Sequence, residues 1–177
     1  MKKRILFLHQ SSSIGGGSYC LLNIIKELPK DIFTPIVALK ASGPLYDELV
    51  GMKVHVVLFP EMEDIPYNRS LFSHSSIKKY YRVLKSKARL KAIIVENKID
   101  ALYLNNMMLY LYLETGKKAG IKTIIHIREH WPLNEHTLQL KLAQNIVDTY
   151  ADRIVAINEY SALMFEKSKY KTTIVYD

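Results

Sequence analysis

Arg4 to His9 is a run of buried-strand character that breaks at Gly15-Gly16-Gly17 and resumes as a helical apolar pattern at Leu21, Leu22, Ile25 and Leu28. A strand, a glycine bend and a helix in that order build an anion site. Glycine lets the backbone approach a ligand closely, and the first helical turn offers N–H groups without intrahelical partners at the positive end of the helix dipole. Gly15, Gly16, Gly17 and Ser18 are therefore candidate phosphate-binding residues, with His9 beside them at the strand end.

The pattern repeats along the chain. Strands are expected over residues 34–40, 53–59, 100–104, 122–127, 153–157 and 172–176, with helices over 45–50, 76–97, 135–150 and 159–167. Residues 60–75 show no period and are expected to form a long irregular connection. Met107 to Leu113 alternates Leu and Tyr as a strand would, but Lys117, Lys118 and Gly120 read as a helix end, so a helix is expected. Near-continuous apolar strands alternating with helices predict an α/β fold, a doubly wound and mostly parallel sheet of about seven strands covered on both faces. In such sheets ligands bind beyond the carboxyl ends of the strands. The polar residues expected there are His9 to Ser18, Asn105, Asn106, Arg128, Glu129, His130, Asn158 and Glu159.

A chain of 177 residues suits one domain, and no apolar run in it is long enough to span a bilayer. With no signal-peptide pattern and one cysteine, Cys20, read as part of the first helix's core, a cytoplasmic protein is expected. The net charge of +8 is concentrated: residues 78–98 hold eight Lys and Arg against a single acid, Glu96. Ile77, Tyr81, Leu84, Ala88, Ala92 and Val95 recur there at helical spacing and predict the core face. Lys78, Lys79, Arg82, Lys85 and Arg89 then form either a solvated face or a contact for an anionic membrane surface. Nucleic acid is not expected, because only Tyr80 and Tyr81 interleave with the basic residues and no reader motif is present.

Other chemistries fit less well. Cys20 stands where a dinucleotide fingerprint wants its third glycine, and the second strand ends in Lys40 where an NAD site wants a carboxylate. No Gly-Lys-Ser/Thr follows the glycine bend, so a P-loop is excluded. His126 to His130 matches the H-x-x-E-H letters of inverted zinc peptidases, a motif that needs a helix. The β-branched residues before it and Trp131-Pro132 after it predict a strand end instead, and no metal site is expected.

The segments Ile5 to His9, Ile14 to Leu28, Ala151 to Glu159 and Ile174 to Asp177 resemble the N-terminal half of retaining GT-B-fold glycosyltransferases, of the family 4-like kind using nucleotide-diphosphate sugars. The resemblance implies that Gly15 and Gly16 open the first helix near the donor phosphates and the acceptor. It also implies a histidine just after the fifth strand. By strand register that position holds Arg128, followed by Glu129, leaving Arg128 and His130 as alternative holders of the role. Arg128, Glu129 and His130 are the candidate catalytic residues. The resemblance further implies that residues 1–177 form one Rossmann-like domain and that a C-terminal donor-binding domain lies outside them. It implies no obligatory metal or other cofactor, and a surface polysaccharide or glycolipid as acceptor. On this reading the chain alone folds but is inactive. Alternatives are a non-catalytic α/β module that binds a membrane or polyanion through the basic helix, and an NAD(P)-binding oxidoreductase domain.

Overall fold

The computed structural model describes residues 2–65, 73–129 and 138–176. The elements in chain order are β1 (Lys3–His9), α1 (Gly16–Glu27), β2 (Phe33–Leu39), α2 (Pro44–Gly51), β3 (His55–Leu58), α3 (His74–Glu96) and β4 (Ala101–Leu104), followed by a 3-10 helix (Met107–Tyr112). Then come α4 (Leu113–Lys118), β5 (Lys122–Ile127), α5 (Leu138–Tyr150), β6 (Arg153–Ala156), α6 (Glu159–Leu163), a second 3-10 helix (Glu166–Lys171) and β7 (Thr172–Ile174). The strands form one sheet in the order β3-β2-β1-β4-β5-β6-β7, and every neighbouring pair is parallel. All carboxyl ends therefore share one rim, and the winding direction reverses between β1 and β4.

The continuous apolar run of β1 follows from this architecture. Successive side chains point to opposite faces, so Leu6 and Leu8 enter the layer formed with α3, α4 and α5, while Ile5 and Phe7 enter the layer beneath α1 and α2. Both faces are apolar, and a strict polar alternation is absent for that reason. Gly116 of α4 sits so close to the sheet that a Cβ would lie 2.7 Å from Thr123 Cγ2 and 3.0 Å from Leu102 Cδ2. Glycine is a packing requirement there.

At the rim away from the strand ends, Asp152 ties β5 to β6. Its Oδ2 accepts from the Thr123 N–H (2.9 Å) and hydroxyl (3.0 Å), and its Oδ1 from Lys117 (2.7 Å). Burial opposes ionisation, but these donors outweigh it and leave the carboxyl below its usual range. Buried Lys171 donates to the carbonyls of Asp148 (2.6 Å) and Ala151 (2.8 Å), closing the C-terminus of α5.

One expectation is corrected. Ile77, Tyr81, Leu84 and Val95 of α3 do not face the core; they are exposed. The buried face is Val83, Leu90, Ile93 and Ile94 with Ser76 and Ser86, and the Ser86 hydroxyl donates to the Val83 carbonyl (2.9 Å) and meets the Tyr112 hydroxyl (2.9 Å). Satisfied serines let α3 lie close to the layer below while weakening the apolar signal of that face. Met107 to Tyr112 is helical, as expected, and winds as a 3-10 helix buried at Met107, Leu109, Tyr110, Leu111 and Tyr112. A segment enclosed nearly all round has no periodicity to betray its winding.

Candidate functional site

Four strand ends converge near the β1/β4 reversal. They enclose an open cavity of about 470 Å³ lined by His9 to Ser11, Ser13, Gly15 to Ser18, Cys20, Asn105, Asn106, Arg128, Glu129 and Ile157. Gly15 to Gly17, Asn105, Asn106 and the Arg128-Glu129 pair thus line one cavity, where the rim residues are expected. Gln10, Ser11 and Ser13 belong to the loop anticipated at the rim. Cys20, expected in the core, instead lines the cavity at the edge of α1, one turn beyond the glycines, and Ile157 is a lining residue the sequence did not mark.

The start of α1 is built without side-chain help. Gly15 is its N-cap, in extended conformation, and its carbonyl accepts from the N–H groups of Ser18 and Tyr19, both at 2.9 Å. No side chain caps the helix and no acid lies in its first turn, so the dipole end is left to whatever enters the cavity. Gly15, Gly16 and Gly17 all lack a positive φ. Among the described residues, a Cβ at Gly15 or Gly16 would meet nothing within 4 Å, and one at Gly17 only His9 Cε1 at 3.7 Å. Neither backbone nor packing requires glycine at 15 and 16, in contrast to Gly116.

Behind the glycines runs a directed hydrogen-bond chain. Asn105 Nδ2 donates to the Gly17 carbonyl (2.9 Å), which fixes the amide orientation, and also to His9 Nδ1 (3.0 Å). His9 must then carry its proton on Nε2, donating to Ser18 Oγ (3.1 Å), which in turn donates to the Ser13 carbonyl (2.8 Å). Both ring nitrogens are occupied. Burial, with the Arg128 cation adding to it, lowers the His9 pKa to about 4 from 6.5, so the ring is neutral at pH 7. A depressed folded-state pKa stabilises the fold above the unfolded value and loses that contribution as pH falls through the folded value. Stability should therefore drop between about pH 6.5 and pH 4 by up to roughly 3 kcal/mol. Thermal melting of the protein and of His9→Gln across that range checks this, the variant being expected to show a flatter profile. The carboxylates held low elsewhere, such as Glu114 at about 2 through Lys118 and Lys87, withdraw their contribution only at lower pH.

On the other wall, Glu129 Oε2 accepts from the Met107 N–H (2.9 Å), and burial raises its carboxyl above the usual range against that bond and Arg128. Arg128 donates to His126 Nδ1 (3.0 Å), and the Tyr103 hydroxyl lies 2.7 Å from the same nitrogen. His126 is buried in β5, which ends at Ile127, so the H-x-x-E-H letters begin on a strand, as expected, and not on a helix. Asn106 Nδ2 donates to Gln10 Oε1, joining the loops after β1 and β4. His130 lies outside the described residues. Asn158 and Glu159 do not line the cavity: Asn158 Oδ1 caps α6 by accepting from the Ser161 N–H (2.8 Å), and the Glu159 carboxylate accepts from the Tyr176 hydroxyl. At the end of β2, Lys40 pairs with Glu63 (3.3 Å), which Arg82 also holds (3.2 Å).

The basic charge of α3 is less available than its count suggests. Lys79 pairs with Asp64 (3.1 Å), Arg82 with Glu63 (3.2 Å), Lys87 with Glu114 (2.5 Å) and Arg89 with Glu96 (3.4 Å). A purely polyanion-binding face is weakened accordingly.

No family model and no curated protein matches the chain. Solved structures do. HepE of Anabaena, in complex with UDP-glucose, superposes with a TM-score of 0.70 at 21% identity, over 98% of this chain and 43% of HepE. The lipopolysaccharide outer core galactosyltransferase WaaB gives 0.65 at 19%, over 99% of this chain and 45% of WaaB. The fold is a Rossmann-like GT-B lobe. A UDP-N-acetylglucosamine 2-epimerase matches at 0.64 with 11% identity, over 98% of this chain and 48% of the epimerase, so the lobe serves more than one chemistry. The chain spans less than half the length of each of these structures.

Proposed function

We propose that the chain is the acceptor-side domain of a glycosyltransferase that moves a sugar from a nucleotide-diphosphate donor to a polysaccharide or glycolipid, with retention of configuration. The observation carrying this reading is the glycine pair at 15 and 16. The fold itself does not require it, yet it stands at an uncapped helix start inside a cavity at the sheet's reversal point. A ligand whose phosphates must approach the backbone explains both facts. HepE, which shares the fold, was solved with UDP-glucose bound.

In this reading the N–H groups at Gly16 and Gly17 face the diphosphate, and Arg128 adds positive charge as the leaving group forms. Glu129, His9, Asn105 and Asn106 shape the acceptor side, with Arg128 or His130 nearest the reacting sugar. Helix dipole and cationic side chains carry the phosphate charge, so no obligatory metal is invoked. Transfer needs a second, donor-binding domain to close the cavity, and the chain by itself is inactive because positioning is lost without it. The protein works in the cytoplasm, peripheral to the inner face of the membrane when its acceptor is a glycolipid.

Amide NMR titration with UDP-glucose tests the site. Shifts should concentrate at Gly15 to Ser18, Asn105 and Asn106, while NAD⁺ leaves them unmoved. A silent glycine bend, or a stronger response to NAD⁺, rejects the donor reading, and glycosyl transfer by the chain alone rejects its two-domain form.

A further inference from the structure

Helix α3 is apolar on two opposite sides. One packs on the sheet through Val83, Leu90, Ile93 and Ile94. On the other, Ile77, Tyr81, Leu84 and Val95 are between 56% and 67% exposed. At 3.6 residues per turn these four fall within a stripe about 60° wide, which runs about 27 Å along the helix. Exposed Ala88 lies on the same line. Lys78 and Lys85 border the stripe on one side and Lys91 on the other; all three are exposed and belong to no ion pair among the described residues. The Lys85 ammonium also stands 4.6 Å over the Tyr81 ring. Arg82 and Arg89 lie farther round the helix and are paired with acids.

Single exposed apolar residues need no explanation, but a line of them framed by lysines that join no ion pair among the described residues does. We infer that this outer face of α3 docks on an anionic lipid bilayer. The helix lies in the interface plane, with Ile77, Tyr81, Leu84 and Val95 entering the acyl boundary and Lys78, Lys85 and Lys91 meeting lipid phosphates. Charge complementarity selects this occupant over a second copy of the chain, which would bring the lysine borders of two stripes together. The inference rests on the peripheral membrane placement proposed above and deepens it from an electrostatic tether to insertion. Because α3 follows the carboxyl end of β3, its Ile77 end lies toward the rim that bears the cavity.

Vesicle sedimentation decides the matter, using phosphatidylcholine with and without phosphatidylglycerol at low and high salt. Binding should require the anionic lipid and persist in part at high salt. Leu84→Ser and Tyr81→Ser should each weaken it about tenfold at both salts. Lys78→Gln and Lys85→Gln should weaken it about fivefold at low salt only. Circular dichroism should be unchanged in all four, since the side chains are exposed. Binding that vanishes at high salt and ignores the apolar variants overturns insertion while leaving the peripheral placement standing. Absence of binding to any vesicle overturns both. Lipid-independent self-association abolished by Leu84→Ser overturns the inference in favour of a protein interface.

Discussion

Asn105→Leu should lower the melting temperature by roughly 5–15 °C, corresponding to about 2–4 kcal/mol in a domain of this size. The replacement keeps the branched shape and the number of heavy atoms, so most of the loss is polar, with a smaller part from the bulkier methyl groups. Removing Nδ2 leaves the Gly17 carbonyl and His9 Nδ1 without their donor, and each buried acceptor stranded in this way costs about 1–3 kcal/mol. Part of that is offset, because the Asn105 Oδ1 that disappears has no hydrogen-bond partner among the described residues. The damage should extend to the site, since the same amide holds the glycine bend against β1. Asn105→Asp offers a second reading of the same contact: a carboxylate facing Nδ1 should raise the His9 pKa, which a histidine NMR titration would follow. A melting temperature within a degree or so of the parent would mean that the bend is held by other contacts.

Gly16→Val should abolish detectable UDP-glucose binding while leaving the melting temperature nearly unchanged. A Cβ at this position meets no heavy atom of the described residues within 4 Å, and the residue has no positive φ to forbid a side chain. The cost of a β-branched residue in the first helical turn is a few tenths of a kcal/mol and is partly cancelled by losing glycine's entropy in the unfolded chain. Only a ligand needing the space would register the change. Calorimetric titration alongside thermal melting separates the two effects, and a variant that binds like the parent would remove the main support for a phosphate at this bend.

The strands were legible because α/β architecture writes them as apolar blocks: β5 has the expected bounds, and β1 reads as one unbroken run from Ile5 to Leu8. The rim residues were legible for the same reason, as the first polar positions after each block. What misled was periodicity on α3. Two apolar stripes on one helix give equal evidence for two core faces, and the buried one is diluted by Ser76 and Ser86, whose hydroxyls find partners inside. Spacing alone carries no information about which face meets the sheet. Asn158 and Glu159 look like site residues because they follow β6, yet Asn158 is spent on capping α6 and Glu159 bonds Tyr176. Cys20 reads as core in the sequence, yet one turn of helix past the glycines still faces the cavity, a relation visible only once α1 has a direction.

Both margins of the sheet are brief. β3 offers four residues and β7 three, so a foreign strand laid alongside would find only about 10–13 Å of unpaired backbone to template on. Such short selvedges disfavour strand exchange between copies and fibril seeding, even though the interior blocks of β1 and β5 are as aggregation-prone as any when unfolded. Handling losses of this protein should accordingly track the unfolded fraction, and conditions that keep it folded should keep it dispersed.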